Sequence, residues 1–512
     1  MTDDKQYSVG ERGFLGPFLD IANHDAQRLF ARFKGQDLDF GRLEQRSAHI
    51  AGWLQSRSVS AGDHVAVMAA NSETVLTLLF AIGRSGAVWV PLNVRAVGAN
   101  LAYILDHAVP RLVFCDTDLK DTIVSSGARV DPDRIVTSDV LASDLDTVPD
   151  WRPSTLPGTD DPFAIMYTSG TTGPPKGVLV SHRMLWLAGQ AAALTSSAQD
   201  GDVMHMWEPL FHIGGAQMMV MPILKQVVLN FTEGFSASRF WREVHKAGGS
   251  HVHYLGGILQ ILLKQSPTDL DRTHGARIAW GGGCPVEIWR QVEERFGVKI
   301  RECYGMTECS SFSTCNLNGT FGSVGQPLPW FDISIERDGV PAPAGKKGEI
   351  VVTSRLDGAL TAGYLNSPEA TAAVLNGNRF HTGDSGSVDA DGNLYFHGRI
   401  SDSVRVRGEN VSAFEVEHVA AKHPAVEDCA MLGVAAEIGE QEIILFVKLK
   451  DGENCMEMVL WSWLRERLAP YQTPRFIRFV DEFDRTPSQR IMKHCLPKDT
   501  GAAWDRLQNK EL

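Results

Sequence analysis

The sequence predicts an α/β protein: a large N-terminal domain of parallel α/β sheets carrying a small β-rich subdomain, followed by a small α+β domain at the C-terminal end. Three observations predict it. From residue 64 to residue 302, strand-like apolar runs alternate with helical stripes, the pattern of parallel strands joined by crossover helices and covered on both faces. Over 322–394 short apolar runs alternate with turns, as in Gly348-Glu-Ile-Val-Val-Thr353, which is a β-rich pattern. A chain of 512 residues also exceeds one simple core, and its length corresponds to about three units.

Residues 8–54 read as an entry segment in which Leu43, Ile50 and Leu54 form a helical stripe beside Trp53. A strand over 64–68, a helix over 73–83 and a strand over 87–90 follow, and a helix over 100–107 with a strand over 111–115 repeats the unit. The longest apolar tract, 75–92, is broken by Gly83, Arg84 and Gly86, so it reads as a buried helix running into a strand and not as a membrane span. The Pro-rich stretch 148–162 is a connector into a buried strand over 163–167. Beyond it come a helix over 184–196, strands at 227–229 and 251–255 around a helix over 238–247, a strand at 277–280, a helix over 286–296 and a strand over 298–302. The last domain, 400–512, reads as a helix over 413–423, strands at 430–434 and 443–448, and a helix over 456–468.

The formal net charge of −13, with no clustered Lys or Arg run, argues against a nucleic-acid surface. The start, Met1-Thr-Asp-Asp-Lys, lacks the basic and apolar regions of a secretory signal, and the eight cysteines contain no CxxC pair. Reduced thiols and a cytoplasmic location are expected.

Chemistry concentrates in a few stretches. Tyr167-Thr-Ser-Gly-Thr-Thr-Gly-Pro-Pro-Lys-Gly177 follows the 163–167 strand. Gly170, Gly173 and Gly177 let backbone N–H groups turn toward an anion, Thr168, Ser169, Thr171 and Thr172 add hydroxyl donors, and Lys176 adds a point charge, so the stretch reads as a phosphate cradle. It is not a Walker loop, because Gly177 stands where that motif needs Ser or Thr. A generic loop of this composition would be a surface turn. His212 lies between a bulky apolar run and two glycines; a lone histidine is usually structural. Gly281, Gly282 and Gly283 end a strand and offer a flat backbone surface to a ring. Tyr304-Gly-Met-Thr-Glu308 places an aromatic, a hydroxyl and a carboxylate within five residues, suited to stacking, a neutral donor and a hard cation, although an exposed turn would carry the same letters. The Gly383-Asp384 turn is ordinary by itself.

The stretch from Thr168 to Gly177 resembles the signature loop of the adenylate-forming superfamily, which comprises acyl-CoA synthetases, peptide-synthetase adenylation domains and beetle luciferases. Four further stretches are similar to family motifs in the family order, so the resemblance covers nearly the whole chain: Tyr304 to Glu308, His381 to Asp384, Gly398 to Val411 and Arg485 to Lys493. The resemblance implies the adenylate-forming fold, with residues 1–399 holding ATP and the acid and a mobile domain over 400–512 hinged at Ser401. It implies ATP, Mg2+ and CoA as cofactor and cosubstrates and a small-molecule carboxylic acid as partner, with no nucleic acid and no membrane span, and leaves a homodimer open. Residue by residue, it gives Tyr304 to adenine stacking, Thr307 to the α-phosphate, Glu308 to magnesium, Asp384 to the ribose hydroxyls and Arg399 to ribose or phosphate. His212 falls on the wall between the carboxylate site and the thiol tunnel, and Gly408 on the strand lining the pantetheine path.

One motif departs from the family. In Arg485-Thr-Pro-Ser-Gln-Arg-Ile-Met-Lys493 the usual Gly-Lys core is Gln489-Arg490. Arginine keeps the charge but replaces a compact ammonium by a planar fork. Three readings follow: Arg490 does the lysine's work, Lys493 is recruited instead, or adenylation is impaired. The stretches from Ser236 to Trp241 and Thr486 to Lys493 look most like the carnitine/crotonobetaine-CoA ligase branch. Trp207, Phe211, Tyr254, Phe312 and Trp330 are candidates for the acid pocket or plain core aromatics, and Glu208 is a candidate for meeting a cationic or polar group. The expected activity is an AMP-forming acid–thiol ligase, an acyl-CoA synthetase; the alternatives are an adenylating enzyme serving a carrier protein and a nucleotide-binding pseudoenzyme.

Overall fold

The computed structural model describes residues 7, 10–145, 148–168, 174–406, 409–435, 441–485 and 491–508. Ser169, Gly170, Thr171 and Thr172 of the glycine-rich loop, Gly408, and Gln489 and Arg490 lie outside the described residues. The chain divides into two compact units, one made of Met1–Tyr254, Leu259–Ile333 and Val352–Phe380, the other of Leu255–Ile258, Ser334–Val351 and His381–Leu512.

In the first unit the predicted alternation builds two sheets. One has the strand order Ile135–Thr137, Leu112–Cys115, His64–Met68, Val88–Pro91, Pro162–Thr168, Lys176–Ser181. All its pairings are parallel except the last. The other runs from Gln326–Pro327 through Thr314–Cys315, Lys299–Tyr304, Ile278–Gly282, His251–Leu255, Val203–Met206 and Val228–Phe231 to Leu29–Phe33 and Gln36–Asp39.

The covering helices form where sequence supplies both a cap and an apolar face. Asp39 accepts the Arg42 N–H (2.7 Å) at the start of Phe40–Ser56, Ser72 accepts that of Val75 (3.1 Å) before Glu73–Arg84, and Ser181 that of Met184 (3.1 Å) before His182–Ser196. Each cap satisfies an orphan amide and contributes about 1 kcal/mol. Val75 to Ile82 are buried on every side of their helix, as a run apolar but for Thr77 requires.

Several strands were not legible in the sequence, Ile135–Thr137 and Val203–Met206 among them. Leu29–Phe33 and Gln36–Asp39 form a hairpin within the entry segment, and Lys176–Ser181 is a strand where only a loop ending was expected. Lys176 is thus fixed in a sheet at its own backbone, a stiffer mount than a loop.

Short strands fill the predicted β-rich stretch: Phe331–Arg337, Gly348–Ser354, Arg379–Val388 and Leu394–Arg399 are the longest. In the second unit, Val426–Ala435, Gln441–Leu449, Phe476–Phe479 and Trp504–Asp505 form one sheet in that order. Its core includes Val416, Ile443, Leu445, Leu460 and Leu464. The eight cysteines are free and six are buried. Among the described residues no helix is long and apolar enough to cross a membrane.

Candidate active site

The hairpin that carries the glycine-rich loop sets the site. Pro162–Thr168 runs antiparallel to Lys176–Ser181, with Thr168 opposite Lys176 and Tyr167 opposite Gly177. The two ends of the loop are therefore held side by side, a geometry in which the intervening glycines and hydroxyls close over an anion. The Lys176 ammonium sits 5.0 Å from the centroid of the Tyr364 ring. Tyr364 donates its hydroxyl to Glu308 Oε1 at 2.9 Å.

Backbone bonds secure that tyrosine. Leu365 N–H donates to Gly177 (2.8 Å), Leu179 N–H to Gly363 (3.0 Å) and Thr361 N–H to the Glu308 carbonyl (2.8 Å). Residues 361–365 thus stitch the lysine strand to the glutamate turn. Sequence reading missed Tyr364, which no motif marks.

Thr307 and Glu308, both buried, lie in a single 3-10 turn, Thr307–Cys309, after the Lys299–Tyr304 strand. The turn exits through Ser310 and Ser311, both left-handed (φ 52° and 73°). Non-glycine residues held there cost roughly 1–3 kcal/mol each and persist only where the surroundings over-determine them. Ser310 donates its hydroxyl to the Ala359 carbonyl at 2.6 Å, and Ser313 N–H donates to the Tyr304 carbonyl at 2.8 Å. Gly305 admits no side chain, since a Cβ there would lie 2.0 Å from the Ser311 carbonyl oxygen.

Of the three glycines expected to face a ring, Gly281 and Gly283 are also constrained by their own neighbours. Gly281 has φ +149°, and a Cβ on it would meet the Tyr254 carbonyl oxygen at 1.9 Å. Gly283 N–H donates to Glu302 Oε1 at 2.5 Å and Cys284 N–H to the same oxygen at 3.1 Å, while the Tyr254 hydroxyl donates to Oε2. Burial pushes the Glu302 carboxyl up to about 7, against the opposing pull of those three donors. Glu302, two residues before Tyr304, therefore holds the glycine turn to the strand that carries Tyr304. Nothing in its immediate sequence announces this, because its donors come from the turn after the Ile278–Gly282 strand and from the His251–Leu255 strand.

His212 precedes the short helix Ile213–Ala216. Its ring lies 4.7 Å from that of Phe211. Close by in the fold, Glu208 and His253 form a buried pair, Oε2 to Nδ1 at 2.8 Å. Of the five candidate pocket aromatics, Trp207, Tyr254, Phe312 and Trp330 are buried, and Phe211 is half-buried. The Trp207 indole donates to the His253 carbonyl at 2.7 Å.

The remaining described candidates belong to the second unit. Asp384 and Arg399 pair directly across two antiparallel strands, with Arg399 Nε 2.8 Å from Asp384 Oδ1. Asp384 is buried, its N–H donating to Thr382 Oγ1 at 3.0 Å, and Gly383 N–H donates to Glu349 at 3.1 Å. Lys493 is engaged by Glu417 (2.8 Å) and Asp402 (3.5 Å). Burial opposes the Lys493 charge, yet the two carboxylates hold its ammonium above the ordinary range, whereas burial raises Glu417 despite that partner. The geometry favours a charged lysine, because two carboxylates face it.

For magnesium, no group of three His, Cys, Asp or Glu suited to a metal exists among the described residues. Glu308 alone nonetheless suits an ion that takes one or two carboxylates and completes its shell with phosphate and water.

These features accord with what the chain resembles. The AMP-binding enzyme model matches residues 19–365, and the AMP-binding enzyme C-terminal domain matches residues 415–490. The sulfoacetate–CoA ligase of Cupriavidus necator is 30% identical over 487 residues, covering 92% of this chain and 94% of the relative. The 2-succinylbenzoate–CoA ligase of Geobacillus kaustophilus is 31% identical (95% and 96% covered), and the feruloyl-CoA synthase of an Amycolatopsis species 31% (90% and 94%). In fold, the o-succinylbenzoate CoA synthetase of Bacillus subtilis, solved with its acyl-adenylate intermediate, superposes with a TM-score of 0.87 at 24% identity, covering 97% of this chain and 100% of that one. The same synthetase solved with ATP and magnesium gives 0.83 at 25% identity, with 94% and 98% covered. The chain belongs to the AMP-binding enzyme family.

Proposed function

We propose that this chain is an ATP-dependent acyl-CoA ligase: a carboxylate attacks the α-phosphate of ATP to give acyl-AMP and pyrophosphate, and CoA then displaces AMP to give the thioester. The observation that carries the reading is the Lys176–Tyr364–Glu308 connection, which brings a cation and a carboxylate to one ring beside the glycine-rich hairpin. The named relatives that join acids to CoA, and a fold neighbour holding an acyl-adenylate, support the two-step course.

Neither step needs a protein nucleophile, so the chain's work is positioning and charge stabilisation. Thr168, Ser169, Gly170, Thr171, Thr172 and Lys176 take the β- and γ-phosphates, and Thr307 donates to the α-phosphate. Gly281, Gly282, Gly283 and Tyr304 sandwich the adenine. Asp384 accepts from the ribose hydroxyls, with Arg399 beside it. Glu308 holds magnesium, which when bound supplies neutralisation of the departing pyrophosphate. His212 lines the acid and thiol approach, Gly408 the pantetheine path, and Arg490 faces the acid carboxylate and α-phosphate. Lys493 is a poor substitute for it while Glu417 and Asp402 engage it. The proposed domain boundary is Ile400, with Ser401 as hinge, and the proposed setting is the cytoplasm, in keeping with eight free cysteines. A homodimer is the proposed assembly, to be checked by light scattering. The resemblance to the carnitine/crotonobetaine branch makes carnitine-like acids one arm of the substrate panel.

The test is a panel of carboxylic acids assayed for AMP and thioester. The expected result is acid-dependent AMP release with a matching thioester when CoA is present. AMP formation indifferent to CoA would replace the reading by a carrier-protein adenylating enzyme. ATP binding without either product would make the chain a pseudoenzyme.

A further inference from the structure

Three neighbouring strands meet at Glu302. Residues two apart on a strand share a face, so the Lys299–Tyr304 strand presents the Glu302 carboxylate on the same side as the Tyr304 ring. Its parallel neighbour, Ile278–Gly282, has Gly281 at the facing position, and the strand beyond that, His251–Leu255, carries Tyr254. Where the middle strand has no side chain, the carboxylate reaches the Tyr254 hydroxyl on one side and the Gly283 and Cys284 amides at the strand end.

The charge of Glu302 is held by those hydrogen bonds alone. Among the described residues no cation pairs with it. Its titratable neighbours are Tyr254, Cys284 and Cys303, and burial holds all three above their ordinary ranges, as it does Cys315 on the flanking Thr314–Cys315 strand. Charged side chains enter only beyond these: Glu208 acts on Cys303, Glu287 and Glu293 on Cys284, and Arg301 on Cys315. Burial opposes the charge, and the carboxyl titrates at about 7.

Protonation undoes this arrangement. Every group bonded to the carboxylate is a donor, so an added O–H has no acceptor in place. On Oε1 the proton displaces the Gly283 and Cys284 amides. On Oε2 it forces the Tyr254 hydroxyl to turn and accept, although that hydroxyl has no second partner among the described residues for its own proton. The amides then keep a neutral carbonyl oxygen, whose hydrogen bonds are about half as strong as those of a carboxylate. In either form the turn after Gly282 is held less firmly.

We infer that Glu302 in its ionised form is a positioning residue for the adenine ring, and that its protonation loosens the Gly283–Cys284 turn and weakens nucleotide binding. This rests on the reading above that gives Tyr304 and the three glycines to adenine. Glu302 itself touches no ligand; it acts through the turn and through the strand it shares with Tyr304.

The test measures adenosine binding to the full-length chain by calorimetry from pH 8 to pH 6; adenosine lacks the phosphates that would titrate in that range. If only the ionised form binds, the dissociation constant of the parent should rise about tenfold between those limits. Glu302→Gln cannot ionise, so its binding should be weak at pH 8 and change by less than about twofold down to pH 6. Tyr254→Phe removes a donor to the carboxylate and should move the midpoint of the profile to higher pH. A parent profile flat within about twofold, or a Glu302→Gln profile as steep as the parent's, overturns the inference and leaves the nucleotide site standing. Should Glu302→Gln fail to fold by circular dichroism, Tyr254→Phe decides, because an unmoved midpoint there also overturns it. If adenosine binds at no pH, the adenine site itself fails and takes the inference with it.

Discussion

Each unit of the molecule sets a lysine among acidic side chains, and the two arrangements differ in kind. In the first, Lys176 meets a ring face, and the carboxylate of Glu308 accepts that ring's hydroxyl. In the second, Lys493 lies directly between Glu417 and Asp402. A lysine over an aromatic face keeps its ammonium donors for an incoming anion, while one clasped by two carboxylates has spent them. The same residue type is therefore proposed to serve a ligand in one unit and is held by the fold in the other, and neighbours decide which.

The sharpest way to break this comparison is at Glu308. Glu308→Gln keeps shape and the tyrosine contact but removes the charge for magnesium, so AMP formation should fall by about 10²–10³ with the melting temperature little changed. A loss under tenfold would move the metal site elsewhere. At the other lysine the readout should reverse. Lys493→Met leaves Glu417 buried without its partner and should destabilise the second unit by about 3 kcal/mol in denaturant unfolding. An unaltered unfolding curve together with lost adenylation would mean that Lys493 works on substrate after all.

Acid offers a smaller and more graded distinction. Burial pushes His182 and His205 of the first unit down to about 4. Unfolded, they titrate near 6.5, so between that pH and 4 the unfolded chain binds more protons and folding stability falls as pH drops. Roughly 2 kcal/mol per histidine is lost by pH 5, and the first unit should soften there. Stability flat from pH 7 to 5 would show that these rings become protonated in place.

Much of this was legible in the sequence, for definite reasons. The 64–68, 73–83 and 111–115 elements announce themselves because each carries a dense apolar run bounded by turn residues. Thr307, Glu308, Asp384 and Lys176 could be singled out as candidates because their residue types recur in a recognisable order. What escaped was set by partners distant along the chain. Tyr364 matters through Gly177 and Glu308, and Glu302 through Gly283 and Tyr254; no local pattern encodes such meetings. The Lys176–Ser181 strand escaped because its first residues also complete the loop motif, which drew the reading toward a loop. The three glycines were read as a platform for a ring; that Gly281 is also demanded by the Tyr254 carbonyl could not be read locally.

Tyr364 repays one more thought. Its ring face meets a cation and its hydroxyl meets an anion, so the reach of a phenol acts as a built-in gauge between the two ends of the proposed phosphate site. A ligand that engages both must match that gauge, and neither end can drift without carrying the tyrosine along. Changing the ring at residue 364 would recalibrate the site while leaving every recognised motif letter in place.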